Sequence, residues 1–214
     1  MAKFLITRPN HDTVTSYLFH WSKKILDFAS KNSISFLDIT GDNVNKKNVE
    51  SYFKKQNPKL VFFNGHGDDN CIGGFKDEPL IESGKNEHLL KDRIVYSLSC
   101  NSAKVLGRES IKKGTETFIG YEDSFMFYTD SERETTPLKD KIASSFLQPS
   151  NELSISLLKN KTAEEASIKS KDAFKKETRK FLASNSIEGG EMIIMALLWN
   201  MENQIVLGNK QARF

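Results

Sequence analysis

Two chemically reactive side chains each follow an apolar run that has the length of a strand. His66 comes just after the run in "LVFFNGHGDD" (60–69), and Cys100 ends the run in "RIVYSLSCNSA" (93–103). A thiol attacks carbonyl carbon once it has lost its proton, and a neighbouring imidazole can accept that proton. The glycines on both sides of His66 allow a sharp turn and a close approach to a substrate. Together the two residues would support nucleophilic attack on a carbonyl group.

The elements around these residues predict how they meet. Apolar runs that predict strands alternate with amphipathic segments that predict helices, an order typical of an α/β fold with a mainly parallel sheet and helices on both faces. Functional residues of such sheets gather just past the carboxyl ends of the strands. His66 and Cys100 are therefore expected at one edge of the sheet. The predicted strands are 3–6, 34–39, 59–63, 93–98, 116–120 and 205–207, and the predicted helices are 12–30, 46–56, 102–113, 138–147, 161–183 and 188–198.

Two connecting segments add to the predicted site. Residues 64–89 are rich in Gly and Asp and lack any period, which predicts a long loop with a short hairpin as one option. Ser102 is a suitable cap for the helix that we expect directly after Cys100. The dipole of that helix would lower the pKa of Cys100, and its first N–H groups would face a developing oxyanion.

Composition limits the protein to an ordinary soluble globular class. The chain has 214 residues, 38% hydrophobic content and a net charge of +3, which suits one domain over 1–214. It contains no apolar run of membrane-spanning length and no recognisable secretory signal at its start. Two cysteines fit a reducing compartment, so a cytoplasmic location is expected. The basic segment 159–180 has too little charge and aromatic interleaving for a nucleic-acid surface, so no nucleic-acid partner is expected. No membrane partner is expected either, since no apolar run is long enough to span a bilayer.

The same residues also have ordinary, non-catalytic interpretations. A lone Cys at a strand end is commonly an inert small hydrophobe, and a lone loop His is commonly solvated. The spacing of Cys71 and His88 relative to the two candidates matches no zinc motif, so no metal is expected. The glycine-rich segment after His66 is neither a P-loop nor a dinucleotide fingerprint, so no cofactor is expected. His11 and His20, which flank the first predicted helix, are expected at the surface.

The two segments also resemble a known family. "VFFNGHGD", followed by "VYSLSCNSA" with Cys100 34 positions after His66, is similar to the caspase-like cysteine peptidases, in particular to their bacterial gingipain, clostripain and CHAT-domain branches. "GTETFIGYEDS" and "LLWNMENQIVLGN" resemble later strands of those domains. The resemblance implies a three-layer caspase-like fold in which Cys100 is the nucleophile and His66 the general base and then acid. It also implies an oxyanion hole made by the backbone N–H groups of Gly67 and Cys100, and no metal or cofactor.

The resemblance leaves substrate preference open. Where the clostripain and metacaspase branches have an Asp that binds a basic residue before the scissile bond (P1), this chain has Leu98. Glu122 and Asp123 could supply the negative charge instead. Arg8 lies where caspases have an Arg that binds an acidic P1 residue, yet Arg8 could equally pair with Glu122 or Asp123. The expectation is a weak preference for a basic residue.

Two functions from different classes follow. The first is a cysteine endopeptidase that cleaves protein or peptide substrates through a Cys-His dyad and a thioester acyl-enzyme. A regulatory protein partner, or self-cleavage at Arg133 in the polar segment 126–141, would control it. The alternative is a catalytically silent scaffold or binding module of the same fold in a larger defence or signalling assembly. Because a scaffold has no need for both His66 and Cys100, the pair favours the enzyme.

Overall fold

The computed structural model describes residues 4–183 and 189–214, and its centre is a six-stranded sheet. The spatial order of the strands is β2-β1-β3-β6-β7-β8, in which all neighbours are parallel except the antiparallel pair β7–β8. These strands are β1 (Phe4–Arg8), β2 (Phe36–Thr40), β3 (Leu60–Asn64), β6 (Ile94–Leu98), β7 (Thr117–Tyr121) and β8 (Gln204–Gly208). A two-stranded antiparallel hairpin, β4 (Cys71–Gly73) and β5 (Pro79–Glu82), lies inside the long loop between β3 and β6.

Helices cover both faces of the sheet. They are α1 (Thr13–Lys31), α2 (Lys46–Gln56), α3 (Leu106–Lys112), α4 (Lys141–Leu158), α5 (Ala163–Ala183) and α6 (Gly190–Asn203). Alternate residues of β3 divide between the two faces. Phe62 packs with α1, α4 and α5 in one core, whereas Val61 and Phe63 pack with α2 and α3 in the other. The predicted α/β architecture with a mainly parallel sheet and helices on both faces is confirmed. Among the described residues, no helix is long and apolar enough to cross a membrane.

Three helix predictions were wrong at their ends. The sixth predicted helix, 188–198, runs on to Asn203, and its first predicted residue lies outside the described residues. The fourth predicted helix, 138–147, runs on to Leu158 with Pro149 inside it, because buried residues such as Leu153 and Leu157 continue its apolar face. The helix predicted from Ser102 begins only at Leu106. Asn101 takes a left-handed backbone conformation (φ 55°), which an α-helix cannot include, so the chain turns there before the helix starts.

Candidate active site

The sheet brings His66 and Cys100 to equivalent positions. β3 and β6 are parallel neighbours whose last pair is Asn64 and Leu98, and each candidate residue lies two positions beyond its strand. The turns that follow are in contact, since a Cβ built on Gly67 would lie 2.9 Å from Ser99 Cβ. The strand order therefore brings the turns that carry the imidazole and the thiol to the same edge of the sheet, as the alternation of strands and helices predicted.

His66 is held by a residue that the sequence analysis did not select. Its Nε2 lies 2.6 Å from Asp12 Oδ2. Asp12 is also the N-cap of α1, where its Oδ1 accepts from the backbone N–H and the hydroxyl of Thr15, each at 2.7 Å. One carboxylate oxygen thus caps the helix while the other faces the imidazole. In the sequence, the position of Asp12 at the start of a predicted helix is compatible with an N-cap, but nothing there connects it with His66. The contact with His66 depends on the arrangement of β1 beside β3.

The charge of Asp12 determines how His66 can react. Partial burial raises the pKa of Asp12, but the hydrogen bonds from Thr15 and His66 outweigh that effect and lower it to about 2. The carboxylate is therefore ionised at neutral pH and accepts a hydrogen bond from Nε2–H. In the neutral imidazole, this hydrogen bond places the single proton on Nε2 and leaves the lone pair on Nδ1. That tautomer is the one that a general base requires, with Nδ1 as the basic atom.

Cys100 lies half-buried at the turn after β6. Its Sγ is 3.8 Å from the carbonyl oxygen of Phe125, and burial raises the pKa of the thiol. The expected lowering by a helix dipole is wrong, because α3 starts at Leu106 instead of directly after Cys100. Of the hydrogen bonds among the described residues, none joins Cys100 Sγ to the His66 ring. Catalytic hydrogen bonds are often long in the absence of substrate, so this geometry is compatible with a resting site.

The backbone around Gly67 is arranged to leave a donor available. Gly67 forms an isolated antiparallel bridge with Ile72. The bonds that close this bridge run from Asp68 N–H to the Cys71 carbonyl (3.1 Å) and from Gly73 N–H to the His66 carbonyl (2.9 Å). Neither uses the Gly67 N–H, which accordingly has no backbone acceptor among the described residues. A side chain at Gly67 would collide with Cys71 O at 3.0 Å, so the turn requires glycine here.

Asp69 ties the histidine loop to the cysteine loop. Its carboxylate accepts from Asn101 Nδ2 at 2.8 Å and pairs with Lys104 at 2.9 Å, while its carbonyl accepts from Leu106 N–H at 2.9 Å. These contacts fasten the segment after Cys100 to the segment after His66. The sequence analysis noted the aspartates of this loop but assigned them no role.

Arg8 does not have the environment of a substrate-binding residue. Its guanidinium makes two bonds to the carboxylate of Asp38 (2.8 and 2.6 Å), donates to the carbonyl of Phe19 at 2.8 Å, and stacks on the Phe19 ring. The residue is 6% exposed. The alternative in which Arg8 pairs with Glu122 or Asp123 is wrong, because its ion-pair partner is Asp38 on the neighbouring strand β2.

The other three substrate candidates differ in accessibility. Leu98 is buried in the core beneath the site. Glu122 is paired with Arg108. Asp123 is partly exposed, forms no ion pair among the described residues, and lies close enough to Cys100 for its charge to contribute to the raised pKa of that thiol. Of the three, only Asp123 offers an unpaired charge beside the thiol.

Cys71 and His11 have environments that differ from that of an exposed side chain. Cys71 is set apart from the candidate nucleophile: burial and the neighbouring Asp68 carboxylate, 3.4 Å from its Sγ, raise its pKa to about 11. That thiol reacts slowly at neutral pH, because few of its molecules are thiolates. His11 was expected at the surface, but its side chain is 9% exposed and packs against His66 and Phe75. Its ring is drawn inward because the turn after β1 folds beneath the His66 loop.

Comparisons with known proteins agree with this architecture. No protein-family model and no curated protein sequence matches the chain. Among solved structures, gingipain R (RgpB) superposes with a TM-score of 0.62 at 12% sequence identity over 97% of this chain and 46% of its own. The complex of the pro- and mature domains of RgpB from Porphyromonas gingivalis gives a TM-score of 0.61, also at 12% identity, over 99% and 48%. The chain thus spans about half the length of these proteins and resembles their caspase-like fold.

Proposed function

We propose that the protein is a cysteine endopeptidase in which Cys100 is the nucleophile and His66 the general base. The observation that carries this proposal is the His66–Asp12 contact of 2.6 Å, which leaves Nδ1 of His66 as a proton acceptor at the edge where Cys100 lies. An imidazole oriented by a carboxylate and placed beside a thiol is the arrangement that activates a nucleophile. The fold likeness to gingipain R, a proteinase described as Arg-specific, supports the same reaction class.

The reaction would proceed in two halves. His66 Nδ1 takes the thiol proton as Cys100 Sγ forms a bond to the scissile carbonyl carbon, and the C=O electron pair moves to oxygen. The N–H groups of Gly67 and Cys100 would stabilise that oxyanion. Collapse breaks the C–N bond, and His66 returns its proton to the leaving amine. Water, deprotonated by His66, then attacks the thioester and releases the acid, while the proton goes back to the thiol.

Substrate preference follows from the charge nearest the nucleophile. Asp123 is the unpaired carboxylate beside Cys100, whereas Glu122 is neutralised by Arg108 and Arg8 by Asp38. A basic residue before the scissile bond would place its charge near Asp123. We therefore propose peptides with Arg or Lys at that position as substrates, and exclude Arg8 from recognition. The exposed Arg133 in the segment 126–141 remains the proposed self-processing site.

A fluorogenic peptide library varied at the residue before the scissile bond tests the function. Wild type should cleave after Arg or Lys, and Cys100→Ala and His66→Ala should abolish cleavage. Cys71→Ala is the matched control, since it removes the other thiol and should leave the rate unchanged. Asp123→Asn should weaken cleavage after basic residues selectively. Mass spectrometry of the incubated active chain would show cleavage after Arg133, absent from the Cys100→Ala variant.

The scaffold alternative has one observation in its favour. The Cys100 thiol contacts the Phe125 carbonyl and has a raised pKa, as in a thiol that performs no chemistry. An acyl-type thiol probe separates the two functions. Labelling of Cys100 that is lost in His66→Ala supports the peptidase. Equal, slow labelling of Cys71 and Cys100, together with no peptide cleavage, would establish the scaffold.

A further inference from the structure

The His66–Asp12 contact belongs to a larger group of ligand atoms that includes His11, a residue with no part in the proposed reaction. His11, Asp12 and His66 each offer one ligand atom, and these three atoms lie within 4.8 Å of one another. Asp77 Oδ1, on the loop between β4 and β5, lies 3.3 Å from Nε2 of His11. The group therefore combines two imidazoles with one or two carboxylates. The sequence predicted no metal site, because the spacing of His66, Cys71, His88 and Cys100 matches no zinc motif, and His11 was expected at the surface.

His11 is the feature that a peptidase mechanism leaves unexplained. Its side chain is 9% exposed, yet neither ring nitrogen has a hydrogen-bond partner among the described residues. Asp77 Oδ1, at 3.3 Å from Nε2, forms no hydrogen bond with it, and Asp12 Oδ2, at 3.8 Å, is too distant for one. A buried polar group without a partner is costly, and such groups are rare unless they serve a ligand. Nε2 of His11 lies near the carboxylates of Asp77 and Asp12, so a bound cation would supply the partner that this nitrogen lacks.

The distances suit a metal of zinc size. Ligand bonds of about 2.0–2.1 Å in a tetrahedral site separate neighbouring ligand atoms by about 3.3 Å. The His66–Asp12 distance of 2.6 Å and the His11–Asp12 distance of 3.8 Å lie on either side of that value, and the ligand atoms of His11 and His66 lie within 4.8 Å of each other. Side-chain adjustments of about 1.5 Å or less would therefore form three bonds. Imidazole ligands favour zinc over Mg²⁺ and Ca²⁺, which prefer oxygen alone.

We propose that His11, Asp12 and His66 form a Zn²⁺ site, with Asp77 beside it, and that zinc bound there switches off the peptidase. Zn²⁺ binds the lone pair of Nε2 in the other neutral tautomer of His66, so the single imidazole proton shifts from Nε2 to Nδ1. Nδ1 then has no lone pair with which to accept the proton of Cys100. The inhibition rests on the proposed function, whereas the binding site does not.

Metal binding is tested on the Cys71→Ala/Cys100→Ala double variant, which has no thiol to bind zinc. Calorimetric titration should show one Zn²⁺ per chain. Co²⁺ should give visible absorption typical of a four-coordinate N/O site, and Ca²⁺ and Mg²⁺ should not bind. His11→Gln should weaken Zn²⁺ binding by at least tenfold, and His66→Gln likewise. His20→Gln, a change of the same type elsewhere on α1, is the matched control and should bind as the parent does.

A second variant, Asp77→Asn, tests the zinc site without replacing the buried side chain of His11. Asp77 has a left-handed backbone (φ 60°), which Asn tolerates, and its side chain is 60% exposed, so Asp77→Asn should fold normally. It should weaken zinc binding severalfold. Equal affinity in the parent, His11→Gln and Asp77→Asn chains would overturn the site, as would the absence of stoichiometric binding to the parent.

Inhibition is measured separately in chains that retain both cysteines. Relative to each chain's own metal-free rate, His11→Gln should need at least tenfold more Zn²⁺ than wild type for half-inhibition. Unchanged zinc sensitivity in His11→Gln would mean that the metal acts through Cys100 and would refute the switch. If no peptide is cleaved at all, the proposed function fails, while the calorimetric result still decides the site.

Discussion

Replacement of Asp12 by Asn separates its two roles. Oδ1 caps α1 through Thr15, and Oδ2 binds Nε2 of His66. Asn caps a helix about as well as Asp, so the free energy of unfolding should fall by less than about 1 kcal/mol, mostly through the lost charge at the helix N-terminus. With its Oδ1 on Thr15, the Asn amide can present only N–H donors to His66.

The consequence for catalysis is much larger than that for stability. An amide donor requires Nε2 to be the acceptor, so the imidazole proton moves to Nδ1 and the base faces Cys100 protonated. A wrong tautomer of this kind costs about 10³–10⁴-fold in kcat, or about 4–5.5 kcal/mol at 1.36 kcal/mol per factor of ten. Asp12→Ser is the matched variant, since its hydroxyl retains the cap but is too short for His66. It should keep the stability and lose activity to a similar extent.

The assay combines peptide cleavage with urea unfolding of the same preparations. The expected result is a near-wild-type unfolding midpoint together with a cleavage rate reduced by about three orders of magnitude or more. Asp12→Asn with wild-type cleavage would show that Asp12 does not set the tautomer of His66. A rate loss matched by a large loss of stability would show instead that the helix cap alone carries the effect.

Three further outcomes are expected. Gly67→Ala should destabilise the fold by about 1–3 kcal/mol in urea unfolding and abolish cleavage, because the added Cβ meets Ser99 Cβ at 2.9 Å; an unaffected variant would contradict the close packing of the two turns. Cys71, with a pKa of about 11, should react with iodoacetamide at pH 8 about 100-fold more slowly than an ordinary thiol of pKa 9, since only the thiolate reacts. The reaction should become faster as the pH rises through 11. Mass spectrometry of the labelled peptide checks this, and rapid labelling at pH 8 would refute the assignment. Arg8→Lys should lower the free energy of unfolding by about 1–3 kcal/mol, because Lys cannot form the two-bond contact with Asp38. Substrate preference should not change. A shift in substrate preference would restore Arg8 as a substrate-binding residue.

The order of the elements could be predicted because their signals are local. Apolar runs and three- or four-residue periods lie within single segments, and they identified the central strands and the helices on both sides. Two positions went wrong for a physical reason. Packing of Leu153 and Leu157 carries α4 past Pro149, and the left-handed Asn101 delays α3, so the predicted dipole effect on Cys100 is absent.

The sequence by itself determined that an imidazole and a thiol follow two strands of a parallel sheet, and therefore that His66 and Cys100 share an edge. Only the tertiary structure decided what surrounds them. Asp12 and His11, from the turn after β1, meet His66 because β1 pairs with β3, and Asp77, from the loop after β4, approaches His11. Contacts between segments distant along the chain leave no period or motif in either segment. For that reason the carboxylate that contacts His66 became visible only in the folded chain.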